Sequence, residues 1–204
     1  MKALVLVDVQ NDFMPGGSLE VPQGDLIIPL INKLQNHFDL VVATQDWHPQ
    51  NHKSFASNHP GRKPFETIIL NGIDQILWPD HCVQGSSGAM FHPNLKTERI
   101  AAIFRKGMDP EVDSYSGFYD NCHTISSGLS GYLKEKGITT LNFCGLASDI
   151  CVYYTIKDSQ LEGFSASLID DASRPLNRES FANIKTELRT MGVPVINSND
   201  ILFP

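Results

Sequence analysis

The chain has 204 residues, a formal net charge of −7 and 41% hydrophobic residues, which suits one α/β domain with a substantial core and excludes disorder. No basic run exceeds a pair such as Arg105-Lys106, which excludes nucleic acid and anionic membrane as main partners. The apolar run Ala3 to Val7 meets Asp8 too early for a signal sequence, no run approaches a membrane span, and the four cysteines lack CxxC spacing, so reduced thiols in a cytoplasmic protein are expected.

Lys2 to Val7 reads as a strand buried on both faces, ending on Asp8. Asp25 to Phe38 has helical spacing, with Leu26, Ile27, Leu30, Ile31, Leu34 and Phe38 on one face and Pro29 in the first turn. Asp39 to Thr44 is a second strand, delivering Gln45-Asp46-Trp47-His48-Pro49. From Gln50 to Gly88 periodicity is weak except for a small hairpin, Thr67 to Leu77, split by Asn71-Gly72. This stretch reads as a site-building insertion in a single domain spanning 1–204. Ile100 to Arg105 is a third strand, followed by a loop over Met108–Tyr119 and a helix over Asn121–Lys136.

Leu141 to Val152 is the stretch around which the rest is organised, and it begins as a strand, Thr139 to Cys144. Gly145 permits a turn, Ser148 and Asp149 are N-cap types, and a helix follows to about Glu162. Ala166 to Ile169, a capped helix over Asn177–Met191, and Val193 to Ile196 complete the series. The alternation predicts an α/β fold with a doubly wound, six-stranded, mostly parallel sheet flanked by helices.

Asp8, Lys106 and Cys151 each fall just past a separate strand, where ligands bind in open α/β sheets. In that arrangement Cys151, in the first turn of its helix, is a nucleophile whose thiolate is favoured by the helix N-terminus. Asp8 then accepts the thiol proton, and Lys106 steadies both. The alternative for Cys151 is a buried small hydrophobe. The backbone N–H groups of Ala147 and Cys151 are the candidate oxyanion hole. Asp46 and His48, two apart, with His81 beyond Pro79, form a candidate open site for one divalent ion of the Zn, Mn or Fe kind. His52 stands as a fourth ligand, a supporting residue or a surface histidine; His37, His59, His92 and His123 are assigned to the surface. Phe13 and Trp78 flank both groups and are placed to hold a flat ring between them.

VDVQNDF at 7–13, GGSL at 16–19, QDWHP at 45–49, WPDHCVQG at 78–85, RKG at 105–107 and GLASDICV at 145–152 together resemble the bacterial nicotinamidases (pyrazinamidases) of the isochorismatase-like cysteine hydrolases. The resemblance implies catalytic Asp8, Lys106 and Cys151, and a metal site of Asp46, His48 and His81, with His52 a ligand in some relatives. It also implies a cis peptide between Leu146 and Ala147, and an aromatic pair, Phe13 and Trp78, around a pyridine ring. Ile150 departs from relatives that carry His before the nucleophile. The implied reaction is hydrolysis of nicotinamide, and of analogues such as pyrazinamide, to the acid and ammonia through a thioester in NAD salvage. The expected partners are this small molecule and further copies of the chain. The rival readings are another amidase or isochorismatase of the superfamily, a metal-hydroxide hydrolase with a structural Cys151, and a non-catalytic binder.

Overall fold

The computed structural model describes residues 1–203. Its frame is a six-stranded sheet built from β1 (Lys2–Val7), β2 (Leu40–Asp46), β5 (Ile100–Lys106), β6 (Thr140–Leu146), β7 (Ser165–Arg174) and β8 (Val195–Ile196), in the order β5-β2-β1-β6-β7-β8. Every pairing is parallel. The strands β3 (Thr67–Leu70) and β4 (Ile73–Ile76) form a separate antiparallel hairpin. Its turn is Asn71-Gly72, both with positive φ (51° and 82°), the conformation a two-residue hairpin turn demands.

β1 shows how the sequence makes the core. Leu4 and Leu6 point to one face of the sheet, and Ala3, Val5 and Val7 to the other. The first face is covered by α1 (Ile28–Leu34). The second is covered by α2 (Leu129–Glu135), α3 (Cys151–Leu161) and α4 (Arg178–Thr190). Helices on both faces explain why the central strands read as continuous apolar runs. A short α5 (Asn199–Leu202) ends the described chain.

Several expected boundaries change. The helix expected over Asp25–Phe38 is helical as far as His37, where Phe38 turns extended, but it tightens to 3-10 turns at Gly24–Ile27 and Gln35–His37, leaving only α1 as α-helix. The helix expected over Asn121–Lys136 exists only as α2, because the Asp120 carboxylate captures the N–H groups of Cys122, Thr124 and Ile125 and so holds that stretch in turns. β7 continues past Ile169 through Asp170 and Asp171. Asp171 finds partners in the Ser198 N–H and hydroxyl, and Asp170 in Lys185. Gly145 lies inside β6 rather than in a turn. A Cβ there would sit 2.1 Å from the Val7 carbonyl oxygen, so glycine is what lets β6 approach β1.

Chain order runs outward from β1 to β2 and β5, then returns to β6 on the other side. The reversal between β1 and β6 opens a crevice at their carboxyl ends, the place where this topology receives ligands. Asp8 and the segment leading to Cys151 emerge there.

Candidate active site

Asp8 follows β1 with φ of 48°, a conformation uncommon outside glycine, and is fully buried. Its Oδ1 accepts a hydrogen bond from the Thr44 hydroxyl of β2 at 2.6 Å. Its Oδ2 lies 2.9 Å from Lys106 Nζ as an ion pair but accepts no aligned hydrogen bond. Lys106, the last residue of β5, reaches across β2. Its ammonium lies 2.5 Å from Asp46 Oδ1, donates to the Ser114 carbonyl at 2.9 Å, and stands 3.5 Å from Cys151 Sγ. Three strand ends and one helix start therefore meet on one cation.

Burial by itself would neutralise Lys106, but Asp46 and Asp8 outweigh it and hold the ammonium well above its ordinary pKa. Burial also raises Asp8, with Lys106 opposing. For Asp46 the same penalty is overcome by Lys106 and His48, and the carboxyl stays well below its usual range. Burial pushes the Cys151 thiol well up, Asp8 and Asp46 add to it, and Lys106 only partly offsets them. Burial and the two carboxylates thus oppose the thiolate that the helix start and Lys106 favour. Asp8 and Cys151 offer an oxygen and a sulfur within 4.8 Å of each other.

Leu146–Ala147 is a cis peptide, as the resemblance implied. Ser148 and Asp149 do not cap α3; Ile150 precedes it without a side-chain cap. The Asp149 carboxylate instead accepts the N–H groups of Leu176 and Asn177, both at 2.8 Å, pinning the loop after β7 against the turn. The N–H groups of Ser148, Ile150 and Val152 are spent on the carbonyls of Arg174, Ala147 and Ala147. Those of Ala147 and Cys151 have no backbone partner among the described residues, as an oxyanion hole requires.

Asp46, His48 and His81 are buried, and their ligand atoms all lie within 4.8 Å of one another. His48 Nδ1–H donates to the Gly107 carbonyl at 2.9 Å and His81 Nδ1–H to the Pro79 carbonyl at 2.8 Å. A carbonyl only accepts, so the neutral form of each ring carries its proton on Nδ1 and offers Nε2, and both Nε2 atoms face Asp46 Oδ2, at 3.5 and 3.7 Å. Two lone pairs converging on a carboxylate oxygen fit a divalent cation. Burial opposes a proton on His48, but Asp46 outweighs it and raises that pKa. Gly107, with φ of 64°, is needed here because a Cβ would fall 2.2 Å from His48 Cε1. His52 is buried, not at the surface. Its Nδ1 contacts the Ser54 hydroxyl at 2.7 Å, its Nε2 is unpartnered, and burial lowers its pKa to about 4. It groups with His48 and Asp113 rather than with Asp46 and His81. His37 and His123 are exposed, as assigned; His59 and His92 are half-buried.

Phe13, Trp78, Asp46, His48, His81, Ala147 and Cys151 line one pocket, so the two constellations share a single chamber. Ile150 also lines it, contributing an apolar surface. The sequence reading missed three supports. Gln10 brackets the Asp46 peptide, its Oε1 accepting from the N–H and its Nε2 donating to the carbonyl, both at 2.8 Å. Tyr115 packs edge-on to Trp78 and accepts from Gln75. Asp113, buried, completes the wall. Gln10 lies within VDVQNDF, so a polar residue in that buried stretch was a usable signal; Asp113 and Tyr115 sit in a loop without periodicity.

A family model described as Isochorismatase domain matches residues 2–200. The nicotinamidase of Acinetobacter baylyi is 47% identical over 201 residues, covering 98% of this chain and 94% of that protein. Among solved structures, an Acinetobacter baumanii nicotinamidase and pyrazinamidase superposes with a TM-score of 0.95 at 48% identity, over 98% of this chain and 97% of that one. The pyrazinamidase of Pyrococcus horikoshii, solved in complex with zinc, gives a TM-score of 0.80 at 35% identity, over 96% and 98%.

Proposed function

The chain belongs to the isochorismatase family, and from that premise we propose that it hydrolyses nicotinamide, and analogues such as pyrazinamide, to the carboxylate and ammonia through a thioester on Cys151, in NAD salvage. The observation that carries this reading is the buried Lys106 ammonium, in contact at once with Asp8, Asp46 and Cys151. It ties a nucleophile with its proton acceptor to a metal-ready cluster under one pocket.

Asp8 takes the thiol proton as Sγ attacks the carboxamide carbon. Its raised pKa suits a group that must first accept a proton and then release it. The oxyanion that forms faces the N–H groups of Ala147 and Cys151. Protonated Asp8 passes its proton to the departing nitrogen, which leaves as ammonia. Water then adds to the thioester with Asp8 again as base, and collapse restores the thiol and yields the acid. Phe13 and Trp78 hold the ring on its two faces. Asp46, His48 and His81 would hold a divalent ion, of the Zn, Mn or Fe kind, which would supply a Lewis acid on the pocket wall able to orient the substrate ring. His52 stands behind His48 as a supporting residue.

No helix of the described residues is long and apolar enough to cross a membrane. The test is direct: metal-loaded protein with nicotinamide should release ammonia and nicotinate in equal amounts, and Cys151→Ala should not. No ammonia from the wild-type chain, or wild-type turnover in Cys151→Ala, overturns the reading; the second result would favour a metal-hydroxide route with a structural cysteine.

A further inference from the structure

Asp113 has a feature that packing alone does not explain. It is 3% exposed, and its carboxylate accepts only the Ser114 N–H at 2.8 Å and Gln75 Nε2 at 3.2 Å. No cationic side chain pairs with it among the described residues. A buried carboxylate without a counter-charge is costly and persists where something offsets it. Asp113 lines the same pocket as Asp46, His48 and His81, and one of its oxygens lies within 4.8 Å of ligand nitrogens of His48 and His52.

The charges of the cluster show what is missing. Of the proposed ligands only Asp46 is anionic, and Lys106 already neutralises it while also pairing with Asp8. Asp8, Asp46 and Lys106 together therefore carry one negative charge. Loading a divalent cation turns this into one positive charge in excess, buried. One further carboxylate nearby brings the filled site to neutrality, and Asp113 lines the same pocket within 4.8 Å of a His48 nitrogen.

Resting on the metal reading given above, we propose that Asp113 is the balancing anion of the metal site, a positioning residue that raises divalent-ion affinity from beyond the three ligands. The Ser54 N–H donates to His52 Nδ1 at 3.1 Å, so the neutral ring carries its proton on Nε2; that buried N–H, unpartnered beside Asp113, is a further group that a metal-bound water would satisfy.

The experiment compares Zn(II) and Mn(II) affinities, by chelator competition, in wild type, Asp113→Asn and His48→Ala, with melting temperatures of each metal-free and metal-loaded protein. Asp113→Asn should weaken both ions by about 10–100-fold, the range for losing an outer partner of a metal ligand. Its metal-free form should melt no lower than wild type, because an uncompensated buried charge has gone, while the stabilisation gained on loading should shrink. A purely structural residue would lower both melting temperatures together. Wild-type affinity in Asp113→Asn, or an equal fall in stability with and without metal, overturns the proposal while leaving the metal site standing. A wild-type chain that binds neither ion, or a His48→Ala variant that binds as tightly as wild type, overturns the metal reading itself.

Discussion

Lys106 Nζ lies 2.5 Å from Asp46 Oδ1, so the cation beside the proposed nucleophile is also clamped to a proposed metal ligand. Removing it disturbs both centres. Lys106→Met leaves Asp8 and Asp46 buried without their partner, a loss of about 3–5 kcal/mol in stability. It should also require a higher pH for iodoacetamide to label Cys151, since the one favourable charge on the thiol has gone. An unchanged labelling profile would separate Lys106 from the nucleophile.

Cys151→Ala and Cys151→Ser should both abolish ammonia release while keeping metal content close to wild type. Serine at this site meets the same burial with a far less acidic proton, so Asp8 does not activate it. Denaturing mass spectrometry of quenched wild-type reactions should show the acyl group on the peptide containing Cys151; an acyl group elsewhere would move the nucleophile.

Asp8→Asn should keep ligand binding and lower kcat by at least ~100-fold. In the wild type Asp8 must be ionised to take the thiol proton. Burial raises its pKa above the usual 3.8, so kcat/KM should fall on acidification at a higher pH than an exposed carboxylate would give. An acid limb that persists unchanged in Asp8→Asn would assign that titration to another group.

Gly107→Ala tests the metal centre without replacing a ligand. The left-handed backbone there costs a non-glycine residue about 1–2 kcal/mol, and the methyl would collide with the His48 ring. Metal affinity should fall while Cys151 labelling stays near wild type in pH dependence. Equal metal affinity would mean that His48 is free to move aside.

Chelation, or His48→Ala, should weaken nicotinamide binding and leave benzamide, which lacks the ring nitrogen, bound about equally. Calorimetric titration of both ligands into loaded and stripped protein measures this; an unchanged nicotinamide affinity would rule out anchoring through the ring nitrogen.

The residues at strand ends were legible because a short apolar run followed by a charge has few other readings. Asp8, Asp46 and Lys106 each follow or end such a run, and Asn71-Gly72 names its own turn. What escaped depended on distant partners. Asp120 consumes the N–H groups that a helix over 121–136 needed, and neither its position nor its neighbours announce this. Gly145 looked like a turn residue because the approach of Val7 is invisible in one dimension. The forces on the Cys151 thiol were legible only in part for the same reason: helix-start chemistry is local, whereas burial beside two carboxylates is not. Asp113 was overlooked in a loop that lacks any period.

β5 is the outermost strand, hydrogen-bonded to β2 along one side only. Its residues alternate between half-buried and exposed until Lys106, the first that is fully enclosed. Backbone amides of such a margin exchange with solvent through openings far smaller than global unfolding. Lys106 is thus carried by an edge strand, and its address is written by the carboxylates it meets, more than by the ladder that delivers it. Hydrogen exchange along 100–106 should therefore slow when the site is filled, reporting occupancy from a strand that touches no ligand with its first six residues.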